Sequence, residues 1–357
     1  MKIRPLGRKW RSARSDEKKC PNGPIKGETT MRISRRALLG AVVSSVACPA
    51  IGRASISNWP QRTIKIVVGF APGGQTDTYA RIYGEFIGNQ TGVPVVVENK
   101  TGALGSIAGA EVKRAAPDGY TLLFNTSGAM TVNRVLVKDL GYDTNKDFQL
   151  VSAMPTGGLP LIVSTKLDVS DLDGFVRHAR KSGRVTLGTF GVGSPPHLTV
   201  LALNKQYGLN IEPIHYRGEA PMFTDVVAQT VDGGVGTIIG AQPVLQSGSG
   251  RVIAVPRKRL LTHPDVKTFA EQGADSPMFG LLTYQCCAVP TGTPAEIVAR
   301  LSDLIMKAAK TEKVKAMFDT FGIDEGPMSV EATRELYARE SPVWIDLARQ
   351  AIVERKT

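Results

Sequence analysis

Cysteine is scarce in this 357-residue chain: there are four, two of them (Cys20 and Cys48) within the first 54 residues and two (Cys286 and Cys287) side by side. That excludes a disulfide framework and leaves no zinc spacing. Neighbours on a strand face opposite sides, so Cys286 and Cys287 read as two small buried hydrophobes within a strand over Leu281–Val289. Histidine is equally thin. His178, His197, His215 and His263 show no pairing at metal-ligand spacing, so neither a metal nor a cofactor is expected. Long apolar runs are missing too: the stretch Ala37–Ala47 is about a dozen residues, against the roughly 20 a spanning helix needs.

Acidic residues number 32 against 44 Lys and Arg, but the deficit is local. Residues 1–54 hold 13 Lys/Arg and 3 Asp/Glu, which leaves 31 basic and 29 acidic residues in the rest. The basicity belongs to a leader, and no nucleic-acid partner is expected. Within it, Met31-Arg32-Ile33-Ser34-Arg35-Arg36-Ala37-Leu38-Leu39-Gly40 resembles a twin-arginine export signal, followed by small residues that end at Gly52-Arg53-Ala54. Cleavage is expected near Ala54 and a periplasmic location follows. Residues 1–30 precede a second Met and read as an over-extended start.

What the chain does have, it has twice. Thr63–Val68 reads as a strand, Gly69-Phe70-Ala71-Pro72-Gly73-Gly74-Gln75-Thr76-Asp77 as a glycine-rich loop entering a helix, and Val93–Val97 as the next strand. The second copy runs Val185–Gly188, then Thr189-Phe190-Gly191-Val192-Gly193-Ser194, a helix from Pro195, and Ile211–Tyr216. Each loop is expected to bring unblocked backbone N–H groups to a helix N-terminus, an anion site made from main chain and helix dipole. Neither carries a nucleophile–base pair, a phosphate-gripping Lys or metal ligands.

Strands and helices alternate almost to the end, the pattern of mostly parallel sheets flanked by helices. Past Met154-Pro155-Thr156-Gly157-Gly158 the pattern restarts, and the strand over 281–289 returns the chain to its first sheet. This predicts an α/β molecule of two lobes, one from 58–157 and 284–357 and the other from 158–283. Ligands in open α/β sheets bind at the carboxyl ends of strands, so the pocket is expected in the cleft between the lobes.

Six motifs carry a resemblance over roughly 58–357. Asn58-Trp59-Pro60, Phe70–Asp77, Pro117-Asp118-Gly119-Tyr120-Thr121-Leu122-Leu123, Gly193-Ser194-Pro195-Pro196-His197-Leu198, Tyr216-Arg217-Gly218-Glu219-Ala220-Pro221 and Pro294–Leu301 are similar to the periplasmic receptors of tripartite tricarboxylate transporters, the Bug-type solute receptors. The resemblance implies a two-lobe periplasmic-binding-protein fold, type II-like, with a carboxylate in the cleft. It also implies membrane transporter subunits as partners. The chain departs from the family pattern at Gln75, at Arg217, at Ala228-Gln229-Thr230, and in lacking a Trp in the strand over 281–287. These departures bear on the ligand rather than the fold.

The residues expected to bind ligand are Phe70, Gly73, Gly74, Gln75, Thr76, Asp77, Thr126, Ser127, Gly191, Gly193, Ser194, Tyr216, Arg217 and Gly218. Asp77 is also a natural helix cap, and facing the cleft it would repel an anion. Ser194, with Pro195 at the first helical position, can serve its helix, the ligand or both. His197, three residues after Ser194, raises a hydrolase alternative, but no nucleophile elbow or orienting acid accompanies it, and a structural histidine is the default. The expectation is a non-enzymatic, monomeric receptor that captures a small carboxylate, a di- or tricarboxylate or an aromatic or amino acid. A sensory receptor that hands its ligand-bound form to a signalling protein would have the same fold and cleft.

Overall fold

A computed structural model describes residues 58–216 and 218–354. The leader, its paired arginines and its cleavage site lie outside the described residues, as does Arg217.

The chain begins with β1 (Ile64–Val68), α1 (Gln75–Thr91), β2 (Val95–Asn99), α2 (Ser106–Lys113), β3 (Thr121–Thr126), three short helices α3 (Ser127–Thr131), α4 (Asn133–Leu136) and α5 (Thr144–Asp147), and β4 (Phe148–Pro155). It then builds β5 (Leu161–Ser164), α6 (Leu172–Ser182), β6 (Val185–Thr189), α7 (Pro195–Tyr207), β7 (Ile211–His215), α8 (Glu219–Val227), β8 (Gly233–Val235), α9 (Gln242–Gln246) and β9 (Gly250–Ala254). It ends with β10 (Tyr284–Pro290), α10 (Ala295–Ala308), α11 (Glu312–Phe321) and α12 (Val330–Glu354).

Two five-stranded sheets result, ordered β2-β1-β3-β10-β4 and β7-β6-β8-β5-β9. In the first, β1 pairs parallel with β2 and β3, while β10 runs antiparallel to both β3 and β4. In the second, β6 pairs parallel with β7 and β8, and β5 runs antiparallel to β8 and β9. The two sheets share one plan. In each, four strands run one way and the fifth, inserted second from one edge, is the strand that has just arrived from the other sheet.

Period two decides what each strand buries. Ile64, Ile66 and Val68 of β1 enter one apolar cluster with Tyr79, Tyr83 and Leu301, while Val67 enters another with Ala108 and Leu123. Cys286 and Cys287 likewise split between these clusters, buried and free. β10 begins at Tyr284 rather than Leu281 because 281–283 form the crossing itself. There the N–H of Thr156 donates to the Thr283 carbonyl at 3.1 Å, and the Thr156 hydroxyl donates to the same carbonyl at 2.9 Å. Gly157 and Gly158 follow, both at φ 81°, where a side chain would be strained. A Cβ on Gly157 would also lie 2.8 Å from the Phe321 carbonyl.

Helix boundaries follow their caps. Asp171 accepts from the N–H of Gly174 at 2.7 Å and opens α6, whose Leu172, Phe175, Val176 and Ala179 are buried at helical spacing. α1 stops at Gly92, which takes the left-handed conformation a glycine adopts without penalty. α12 serves both sheets. Its first half packs through Leu336 and Tyr337 on the core beside β10, and the Thr333 hydroxyl accepts from the N–H of Ala153 at 2.8 Å. Its second half sends Trp344, Ala348 and Ala351 into the core of the second sheet, beside Phe175 and Leu203. Pro342 falls between the two halves.

Trp344 is fully buried. Trp344→Ala should therefore lower unfolding free energy by about 3–5 kcal/mol through lost burial and the cavity left behind. Urea denaturation checks this; a loss below about 1 kcal/mol would show that α12 does not hold the second core.

Candidate functional site

A cavity of about 840 Å³ opens between the two sheets, lined from both. From the first come Phe70, Gly73, Gly74, Gln75, Thr76, Thr126 and Ser127, and from the second Gly193, Ser194 and Gly218. Ten of the fourteen residues expected from sequence thus meet around one space.

The first loop is built to leave a helix end open. Gly74 is the N-cap of the 17-residue α1, and no side chain caps it. Asp77 turns inward instead. Only 2% exposed, it accepts from the Gly73 N–H, Arg81 Nε and Asn99 Nδ2, each at 2.9 Å. Burial pushes its carboxyl up, but the hydrogen bonds from Arg81, Gly73 and Asn99 outweigh this and hold it below the usual carboxylate range. Asp77 does not line the cavity: it shapes the loop and its charge is already compensated. Asn99 at the end of β2 adds a second tie, donating to the Phe70 carbonyl at 2.9 Å. Gln75 reaches the first crossing, where Nε2 donates to the Thr156 carbonyl at 3.4 Å.

The second loop corrects the sequence reading. The N–H groups at its helix end are not unblocked. Gly193 donates to His197 Nδ1 at 2.9 Å, Ser194 to the Gly191 carbonyl at 3.2 Å, and His197 to Ser194 Oγ at 3.4 Å. Pro195 and Pro196, the first two residues of α7, have no N–H to offer. Gly191 therefore works as an acceptor inside the loop and does not line the cavity, while Ser194 caps α7 and still faces it. The open helix end on this side is that of α8. Its N-cap Gly218 has no side-chain cap, and Gly218, Glu219 and Ala220 all line the cavity. Tyr216 points elsewhere, its hydroxyl donating to Asp225 at 2.6 Å.

Ser194 and His197 do not form a nucleophile–base pair. The Ser194 hydroxyl donates to the Gly191 carbonyl at 2.7 Å, and His197 spends Nδ1 on Gly193. His197 is buried with its ring edge-on to His215, centroids 4.9 Å apart. Burial first, and the His215 charge second, bring its pKa down to about 4.

Sequence reasoning missed several residues that line the same space: Leu104, Asn133, Thr156, Glu219, Thr237 and Gln285. Thr156 and Gln285 flank crossings that were themselves legible, so strand ends at a crossing were the available signal. Glu219 lies in the motif 216–221, but Thr237 carries no signal, and the two meet only when α8 packs beside the loop after β8. The Thr237 N–H and hydroxyl donate to the two Glu219 oxygens at 2.8 and 2.7 Å.

Comparison with known proteins identifies the family and the fold. Residues 79–350 match the model of the tripartite tricarboxylate transporter family receptor. BugT of Bordetella pertussis is 29% identical over 319 residues, covering 88% of this chain and 96% of BugT. An R. palustris protein solved with adipate superposes with a TM-score of 0.73 at 28% identity, over 82% of this chain and 98% of that one. MatC from Rhodopseudomonas palustris, solved with bound malate, gives 0.68 at 28% identity, over 81% of this chain and 100% of MatC. The periplasmic binding protein BugD gives 0.69 at 27% identity, over 82% and 98%. The relatives are receptors rather than enzymes, and the chain belongs to the tripartite tricarboxylate transporter receptor family.

Proposed function

We propose that this protein is a periplasmic receptor that captures a small carboxylate in the cavity between its sheets and presents it to the membrane subunits of a tripartite tricarboxylate-type transporter. The observation that carries this reading is the uncapped end of α1 at Gly74, which lines the cavity together with Thr126, Ser127 and Ser194. A helix N-terminus contributes up to ~2 kcal/mol toward an anion in partly buried geometry. Hydrogen bonds to a charged oxygen add roughly 1.5–3 kcal/mol each. A few such contacts, less the cost of ordering the ligand, reach the about −8 kcal/mol of micromolar binding. Adipate and malate, held by the two relatives, set the class of acid to test first. Among the fourteen residues named from sequence, the reading rests on the ten that line the cavity.

The lobes are assigned as 58–157 with 284–357, and 158–283, with the last turns of α12 lying on the second. Capture then proceeds by small backbone rotations at the crossings, the hinge mode open to two rigid lobes. Export through a twin-arginine signal accounts for the leader. Arg35→Lys with Arg36→Lys should leave unprocessed precursor in the cytoplasm, and N-terminal sequencing of mature material should begin near Ser55. Mature protein that begins upstream of Met31 would overturn this.

Gly74 has φ −75° and ψ 169°, a conformation open to any residue, and a Cβ there would be 3.4 Å from the Ala71 carbonyl, ordinary contact. Gly74→Val should fold and yet place a branched side chain at the open end of α1. In a thermal-shift and calorimetric screen of mono-, di- and tricarboxylates, wild type should bind at least one at micromolar strength and the variant at least tenfold more weakly. Equal binding by both would remove α1 from the site, and no binding by wild type to any carboxylate would end the receptor reading.

His197 is placed as a structural group. Its folded pKa, about 4, lies below the roughly 6.5 of an unfolded histidine. The unfolded chain takes up the proton first as pH falls, so the stabilisation is full above about 6.5 and is lost between there and about 4, to an extent of about 3 kcal/mol. Unfolding titrations at pH 7 and pH 4 should therefore show that His197→Gln loses less stability on acidification than wild type. Parallel pH profiles would contradict it, and ester hydrolysis that disappears in the variant would restore the hydrolase.

A further inference from the structure

The cavity is not lined as a simple anion site would be. Glu219, the first residue of α8, lines it, with each carboxylate oxygen taking one hydrogen bond from Thr237. A carboxylate offers about four lone-pair sites, so two such bonds leave acceptor capacity on both oxygens. Gln285, which reaches the cavity from β10 in the other sheet, is only 3% exposed, and its Oε1 has no donor among the described residues. Among the described residues that line the cavity there is no Lys, Arg or His. The two sheets thus present acceptors, a buried Gln285 and a half-buried Glu219, to the same space that the uncapped end of α1 reaches.

An acceptor held this way needs a donor, and the ligand is what can bring one. A hydroxyl would satisfy a lone pair but bring no positive charge to Glu219. A second carboxylate at this end would set like charges against each other. An ammonium supplies three donors and the opposite charge. Burial, opposed by the hydrogen bonds from Thr237, already holds the Glu219 carboxyl above its usual range. A bound cation would make its ionised form comfortable.

Resting on the receptor reading above, we propose that the ligand is a carboxylate that also bears a protonated amine, with Glu219 receiving the ammonium and Gln285 accepting a further donor from the ligand. Glu219 is then the residue that separates amino acids from the plain acids of the same length.

Paired probes test this without any variant: glutamate against glutarate, and phenylalanine against 3-phenylpropionate, by calorimetry on the mature protein. In at least one pair the amine-bearing member should bind tenfold or more tightly. Glu219→Gln keeps the shape and an acceptor for Thr237 but removes the charge. It should bring that preference below threefold, leave the plain acid at or above its wild-type affinity, and melt within a few degrees of wild type. Plain acids binding as tightly as their amino partners in wild type would overturn the proposal while leaving the carboxylate receptor intact. So would an equal loss for both members in Glu219→Gln, which would make Glu219 a staple for the loop at Thr237. If no carboxylate of either kind binds wild type, the receptor reading itself fails, and this proposal with it.

Discussion

The two sheets and the cavity between them depend on one small contact, the hydrogen bonds between Thr156 and Thr283 where the two connections pass each other. The Thr156 N–H and hydroxyl both reach the Thr283 carbonyl, and the two hydroxyls lie 2.8 Å apart. Thr156 is 5% exposed, so parting these groups would leave buried polar atoms unpaired, at about 1–3 kcal/mol for each. The two connections are therefore one pivot rather than two independent strings. The Leu282 N–H, one residue before, donates to Glu340 on α12 at 3.0 Å, which ties the same pivot to the helix that spans both cores. Beside this cluster stand Gly157 and Gly158, the residues with the freest backbone at the crossing.

Which helix end can receive an anion is decided by donor arithmetic at the first turn. Proline at the first position suits a helix, because that N–H has no partner within the helix in any case. The same property disqualifies a helix as an anion holder when Pro195 and Pro196 stand together and Ser194 occupies the next N–H. α1, opened by a glycine, keeps its first-turn N–H groups, whereas α8, also opened by a glycine, has Pro221 third and Glu219 first, so it offers fewer donors and already carries a carboxylate. Asp77 belongs to the same economy of charge: turned inward to Arg81, Gly73 and Asn99, it stiffens the loop without opposing an incoming anion.

Much of this was legible in the chain. The strands over 63–68 and 185–188 announced themselves by apolar runs, α1 and α7 by the glycine-rich loops that enter them, and the first crossing by the glycines after Pro155. These signals are local, set by periodicity and by backbone freedom. The site was legible where it coincides with loops that follow strands, and the glycines and hydroxyls of 73–76, 126–127 and 193–194 do meet. It was illegible in two ways. Hydrogen bonds inside the second loop consumed donors that sequence counts as free. Glu219, Thr237 and Gln285 converge from separate elements, and no spacing in the chain records a convergence of that kind.

The inserted strand β10 has a consequence for how the molecule is made. The second sheet uses only strands from the continuous stretch 161–254, so all its pairing partners are present once that stretch exists. The first sheet cannot close until β10 slides between β3 and β4, setting Gln285 opposite Thr126 and Met154. Pairing across so long a separation is slow, because loop-closure entropy is lost before the contacts repay it. A chain emerging from synthesis can therefore pair the strands of its middle first and, until residues from Tyr284 onward arrive, carries β3 with one unpaired edge and β4 with two, the kind of edge that joins to other chains. Truncation before Tyr284 would remove no strand of the second sheet, but it would take Trp344 from that sheet's core and leave the first sheet as a split template for aggregation.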